Sequence, residues 1–434
     1  MGGAEGGGLC LRARLVRLIQ FPFLHRGWWP MAFDYAKISG PKRRAEVLLR
    51  TRNLKMARNA HAYVRGSTVK FYEWLEDGGR KLPAGPSVWI CGDCHLGNLG
   101  PLADADGHVD VQIRDLDQTV IGNPVHDLVR LALSLASAAR GSDLPGVTTA
   151  RMLEEMMNGY EGALAGRLGG QMEKNHRPKL IREILDRAVH RKWRQLAEER
   201  IENIKPTIPL GKRFWTLTKT ERKALKELLK SDGARALITA LKGRHDDDKI
   251  EVLDAAYWMK GCSSLGRLRY AVLIGVADGE PQSNNLCLID IKEGILAAAP
   301  RASDAKMPRD NAERVVAGAR ALSPNLGERM MAGRLFDKSV TVRELMPQDL
   351  KIEIEQLSRE QATAIAGYLA GVVGRAHARQ MDGATRKSWK AELARNRSKT
   401  LDAPSWLWLS VVELMASHEA AYLDHCRRYA WDET

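Results

Sequence analysis

The sequence predicts an α+β fold in two lobes with a helical insert, and three observations carry that expectation. Apolar residues recur at helical spacing through 41–77, 150–245 and most of 358–429. Short β-rich runs bounded by Gly, Pro and Asp occur at 87–91 and 109–113, and again from about 256 onward. Across 434 residues, 44% hydrophobic and 28% charged residues are ordinary globular usage. That composition excludes a disordered, collagen-like or coiled-coil chain, and the length suits roughly two to four core-bearing units. No uncharged apolar run approaches the ~18 residues of a membrane span.

The first 30 residues begin MGGAEGGG and end in Gly27-Trp28-Trp29-Pro30. They read as a flexible leader, or as a mis-called start with Met31 the true one. From 31 to 150 the expected order is helices over 41–77, strands at Ser87–Cys91 and Val109–Ile113, and a buried helix at Asp127–Ala139. From 151 to 255 the segments Pro178–Ile201 and Lys219–Lys230 are basic and periodic, which predicts a helical insert open to a substrate. From 256 to 350 strands are expected at Tyr257–Lys260, Leu268–Val276, Asn285–Ile291 and Ser339–Leu345, with a helix at Asn311–Ala321. From 351 to 434 the chain reads as helical, at 358–380 and 405–429.

Six cysteines are too sparse for a disulfide framework, and Arg12, Arg14 and Arg17 interrupt any signal-peptide core. The expectation is a reducing, cytoplasmic compartment. The net charge of +14 is spread over 41–58, 177–200 and 212–230. Such a surface steers anions. Glu is interleaved with these cations and no nucleic-acid motif appears, so an anionic substrate or simple solvation accounts for the charge.

The densest chemistry is Cys91-Gly92-Asp93-Cys94-His95-Leu96-Gly97-Asn98, followed by Ile113-Arg114-Asp115-Leu116-Asp117 and Gly122-Asn123-Pro124-Val125-His126-Asp127-Leu128. Three chemistries compete for it. Cys91 to His95 matches a CxxCH haem-attachment pattern, but that chemistry normally needs export. A zinc site has two thiols here and lacks two further ligands. In phosphoryl transfer a first carboxylate orients an acceptor hydroxyl and takes its proton, while an Asn and a second Asp hold Mg²⁺ through hard oxygens. The plain alternative is that Asp93 and Asp115 cap turns.

These residues carry a resemblance. Cys91–Arg130 resembles the catalytic segment of the protein-kinase-like superfamily, notably the H-G-D-x-x-x-x-N and I-D-F-D segments of aminoglycoside phosphotransferases. It is still more similar to the bacterial family called domain of unknown function 2252, whose Cys-Gly-Asp-x-His, Asp-Phe-Asp-like and Gly-x-x-x-x-Asp-Leu segments come in this order. Ala62-Tyr63-Val64-Arg65-Gly66 also resembles that family, and the likeness runs from about residue 45 to 380. It implies that Asp93 is the catalytic base, that Asn98 and Asp115 are metal ligands with Asp117 a further contact, and that Asp127 braces the catalytic loop. Cys91 stands where many such kinases have His.

The likeness also implies a Gly-rich hairpin, a strand Lys and a helix Glu. In this chain they follow the catalytic segment. Gly261-Cys262-Ser263-Ser264-Leu265-Gly266 lies between two expected strands, and its backbone can approach phosphate. Lys292 lies on the next strand and Glu313 on the next helix, where the pair would aim an ammonium at phosphates. Leu345 to Asp349, with Met346, resembles a hinge against adenine. Leu369–Arg379 resembles the helix that precedes a kinase catalytic loop. The implied fold is a two-lobed, circularly permuted kinase-like one, which is tolerable because domain termini often lie close together.

The expectation is therefore an ATP- and Mg²⁺-dependent phosphotransferase acting on a small-molecule hydroxyl. AMP transfer by the same motifs, and a non-catalytic nucleotide- or nucleic-acid-binding protein, are the alternatives. His95 is expected to orient the loop, Arg65 to form a structural salt bridge, His377 to be a satisfied core histidine, and Asp246-Asp247-Asp248 to be a solvated loop.

Overall fold

A computed structural model describes residues 40–77, 82–167, 177–190, 207–241, 244–261, 265–277, 286–349, 358–395 and 403–429. The fold is α+β with antiparallel sheets. The leader, Met31, Ser263 and Ser264 lie outside the described residues.

Helices α1 (Pro41–Ala57), α2 (Ala60–Gly66) and α3 (Thr68–Glu76) lead into β1 (Val88–Ile90), β2 (Leu99–Ala103), β3 (Val109–Ile113) and β4 (Val120–Gly122). These strands form two small antiparallel ladders, β1 with β4 and β2 with β3. The strand at β2 was not expected, because Gly100 and Pro101 mask its pattern; such residues are tolerated in a two-stranded edge. Next come α4 (Val125–Gly141), α5 (Gly146–Leu164) and α6 (Lys179–His190). Leu128, Leu131 and Leu135 of α4 are fully buried, as an apolar stripe at helical period requires.

Then follow β5 (Phe214–Trp215), α7 (Lys219–Leu229), α8 (Asp232–Thr239), β6 (Lys249–Trp258), β7 (Arg269–Ala277), β8 (Leu286–Glu293), α9 (Asn311–Leu322), α10 (Pro324–Gly327), β9 (Met330–Leu335) and β10 (Lys338–Leu345). The strands make one six-stranded antiparallel sheet in the order β5-β6-β7-β8-β10-β9. The chain closes with α11 (Arg359–Ala378), α12 (Gly383–Ala394) and α13 (Ser405–Tyr429).

The expected helical insert over 151–255 is divided between two cores. Met152 and Met156 of α5 and Ile181 of α6 join the core built on α4 and α11. Leu225 and Leu229 of α7 and Leu237 of α8 pack instead on the six-stranded sheet. Amphipathic periodicity identified the apolar faces but not the core each face meets. Helix α1 also reaches the sheet: Leu48 enters its core, and buried Arg44 makes an ion pair with Glu221 at 2.6 Å. Strand β6 starts at Lys249, ahead of the expected Tyr257. A register shift between Val252 and Asp254 breaks the alternation that would have revealed it.

Alternation along the sheet positions the site. Ile289 and Ile291 of β8 and Val340 and Val342 of β10 face the helix-covered core. The intervening Asp290, Lys292, Thr341 and Arg343 therefore share the opposite face. The register sets Lys292 opposite Arg269 and Thr341, and Asp290 opposite Arg343.

Candidate functional site

Cys91–Asn98 forms the loop between β1 and β2. Gly92 has φ +75°, and a Cβ there would lie 2.1 Å from the Gln118 carbonyl oxygen, so the turn requires glycine. Asp127, in the first turn of α4, accepts hydrogen bonds from the Cys91 N–H (2.7 Å) and the Gly92 N–H (2.9 Å). The Tyr72 hydroxyl donates to the Gly92 carbonyl at 2.5 Å. Behind Asp127, His377 Nε2 lies 3.1 Å from its Oδ2, and His377 Nδ1 lies 2.9 Å from the Tyr160 hydroxyl. Trp389 Nε1 donates to that same hydroxyl at 3.1 Å. His377 is thus a satisfied core histidine, and helices α4, α5, α11 and α12 together hold one loop.

Asp93 projects from this loop and is almost fully buried. Its Oδ1 accepts from Arg130 Nε at 2.9 Å. Burial pushes its carboxyl above the usual range, against the Arg130 charge and a hydrogen bond from Thr68. His95 is buried, and its Nε2 lies 3.9 Å from Asp93 Oδ2. Burial, then the charges of Arg65 and Arg130, lower the His95 pKa well below the ordinary value, so the ring is neutral. Its Nδ1 has no hydrogen-bond partner among the described residues. The Asn98 Nδ2 donates to the Asp93 carbonyl at 3.0 Å, which directs the amide and leaves its Oδ1 as an acceptor.

Asp115 and Asp117 follow β3 and meet the sheet. Lys292 Nζ lies 3.2 Å from Asp115 Oδ1 and also makes an ion pair with Asp117 Oδ2. Asp115 opens to the cleft with 47% exposure, while Lys292 is 11% exposed. Burial raises the Asp115 pKa, but the cations Lys292, Arg269 and Arg343 outweigh it and hold the carboxyl well below the usual range. Burial, then the Asp115 charge, push Asp117 the other way.

A cleft of about 490 Å³ brings Asp93, His95, Asn98 and Asp115 together with Gly261 and the sheet residues Arg269 and Arg343. An adjoining hollow of about 110 Å³ is shared by Asp93, Asn98, Asp115, Asp117 and Arg267. Gly261 and Gly266 both have positive φ, at 92° and 97°. Two expected placements differ. Glu313 is exposed on α9, and among the described residues Lys292 pairs with Asp115 and Asp117 instead. The neighbouring Arg314 turns inward and donates to the carbonyls of Thr119, Asp117 and Ile295, so it is this side of α9 that docks. Met346 does not line the cleft, and its N–H donates to Asp349 Oδ2 at 3.3 Å.

Arg65 makes no salt bridge among the described residues; its guanidinium lies over Gly97, where a Cβ would come within 2.8 Å of Nη2. Cys91 and Cys94 are buried free thiols. Among the described residues, the group of three or more His, Cys, Asp and Glu side chains close enough to share a cation is Asp104, Asp106 and His108, which includes neither thiol. Asp246 and Asp247 are exposed as expected, whereas Asp248 is buried and its Oδ2 accepts from the His245 N–H.

Several contributors escaped sequence reasoning. Arg130, a buried charge in the largely apolar helix α4, is one of them. Arg269, Asp290 and half-buried Arg343 form a cluster, with Arg269 bidentate to Asp290 at 3.0 and 2.6 Å and Arg343 at 3.3 Å. Their signal was present: charges at strand positions whose neighbours alternate toward a core.

A family model described as an uncharacterised protein conserved in bacteria, DUF2252, matches residues 44–428. No curated protein and no solved structure is similar enough to the chain to count as a match.

Proposed function

We propose that this chain, which belongs to the DUF2252 family, is an ATP- and Mg²⁺-dependent phosphotransferase of kinase-like, circularly permuted fold. It acts in the cytoplasm on a hydroxyl group of a small molecule. The observation that carries this reading is the meeting of Lys292, on a strand late in the chain, with Asp115 and Asp117 beside Asp93 and Asn98. The succession of a hairpin with two glycines of positive φ, a Lys strand, a helix and two further strands supports it too.

Asn98 Oδ1 and the carboxylates of Asp115 and Asp117 are hard oxygen donors that fit Mg²⁺. The Lys292 ammonium between the two carboxylates marks a position where positive charge is favoured. The ion, when bound, neutralises charge on phosphate oxygens. Asp93, fixed by Arg130 and the braced loop, orients the acceptor hydroxyl and takes its proton. Lys292 and the arginines of the cleft balance the charge on the transferred group.

Calorimetry with ATP tests this. Wild type binds, Mg²⁺ strengthens binding, and Lys292→Ala weakens it on the order of 10- to 100-fold, as for loss of a hydrogen bond to a charged group. Asp93→Asn keeps ATP affinity and lowers turnover at least ~100-fold. Equal turnover in Asp93→Asn and wild type would leave a nucleotide-binding protein without catalysis. The mass added to the acceptor separates phosphoryl from AMP transfer.

A further inference from the structure

We infer that the large cleft recognises its donor through a chain of phosphates and not through a base, so that inorganic tripolyphosphate is as good a ligand as ATP. This deepens the phosphotransferase reading and rests on it for the cleft's role as the donor site.

The lining is the first observation. Seven cationic side chains face two carboxylates around the 490 Å³ cleft, and Ala62 is its one apolar side chain among the described residues. Pockets for flat organic rings are lined mainly by hydrophobic and aromatic groups. A low-dielectric cleft with cations in excess instead concentrates anions.

Several of those groups also lack partners. Arg58, at the C-cap of α1, and Arg65, in the last turn of α2, have no carboxylate partner among the described residues, and both line the cleft. Buried His95 lines it as well, with Nδ1 unpartnered. Two guanidinium forks and an imidazole suit phosphate oxygens, which accept bidentate, charge-assisted hydrogen bonds.

Among the described residues, no Phe, Tyr or Trp side chain lines this cleft. The Trp258 ring, at the end of β6, is buried outside the cleft lining, with Phe214 stacked on it at 5.5 Å between centroids and Lys260 Nζ 4.0 Å from its own centroid. Met346, expected beside adenine, lies off the cleft with its N–H bonded to Asp349.

The test is calorimetry of the full chain with Mg²⁺-tripolyphosphate, Mg²⁺-ATP and adenosine. Dissociation constants for the first two should agree within about threefold, adenosine should not bind at millimolar concentration, and Arg58→Ala with Arg65→Ala should weaken both on the order of 10-fold or more. Arg65→Lys, with a thermal melt of each variant, separates lost recognition from lost folding: a folded Lys variant should retain part of the affinity. The inference is overturned if ATP binds 100-fold more tightly than tripolyphosphate, if adenosine competes, if the arginine variants bind normally, or if a single-stranded RNA outcompetes tripolyphosphate. Its failure is distinguishable from that of the phosphotransferase reading. Tripolyphosphate binding through Arg58 and Arg65 without phosphoryl transfer from ATP sustains the inference and sinks the enzyme. ATP turnover without tripolyphosphate binding does the reverse.

Discussion

Gly92 carries more of the site than its size suggests. It combines a left-handed φ of 75° with a backbone so close to Gln118 that a Cβ would sit 2.1 Å from a carbonyl oxygen. Backbone cannot retreat as a long side chain can, so Gly92→Ala must move either the Asp93 loop or the segment bearing Asp117. The expected loss is on the order of 2–4 kcal/mol, measured by urea unfolding, together with disruption of both Asp127 hydrogen bonds. A substitution that left stability within ~0.5 kcal/mol of wild type would show that the turn is not as tight as described.

Elements matter here through what they hold in place. Helices α4, α5, α11 and α12 pass hydrogen bonds inward from Trp389 to Tyr160, His377 and Asp127, and from there to the amides of Cys91 and Gly92. His377→Ala leaves Asp127 and Tyr160 each short of a buried partner, which costs about 1–3 kcal/mol per group. The measurement that isolates positioning is amide exchange: Cys91 and Gly92 should exchange on the order of 10-fold faster, well before the core of α4. His377→Gln, which can still donate to Asp127, should restore part of the protection. Unchanged exchange in His377→Ala would mean that the loop is held without the relay.

Over the whole molecule, one effect of acid runs through buried and half-buried histidines whose pKa is lowered. Burial lowers His418, His61 and His126 to about 4, with the Arg130 charge adding to the effect at His418 and the charges of Arg65 and Arg130 at His61. An unfolded histidine titrates near 6.5. Between those values the unfolded chain binds more protons than the folded one, so stability is fully present above pH ~6.5 and falls toward pH 4. His418 is 2% exposed, and its contribution should fall by about 2 kcal/mol between pH 6.5 and 5. Melting temperatures across that range should drop, and His418→Leu should flatten the profile. A profile as steep as wild type in that variant would rule His418 out as a source. No helix among the described residues is long and apolar enough to cross a membrane.

Where a feature depends on neighbours along the chain, it is legible in the sequence alone. The α4 stripe, the strand at Val109–Ile113, the helix at 405–429 and the loop from Cys91 to Asn98 all follow from local periodicity and turn chemistry. The partner of Lys292 does not. Spacing placed Glu313 on the next helix, but helix rotation turned Arg314 inward, and folding delivered Asp115 and Asp117 from 175 or more positions away. The division of helices 151–255 between two cores, and the gathering of Arg58, Arg65, Arg269 and Arg343 into one cleft, are of the same kind. Periodicity states which face of an element is apolar; the packing of the whole chain chooses what that face, or the charged one opposite it, will meet.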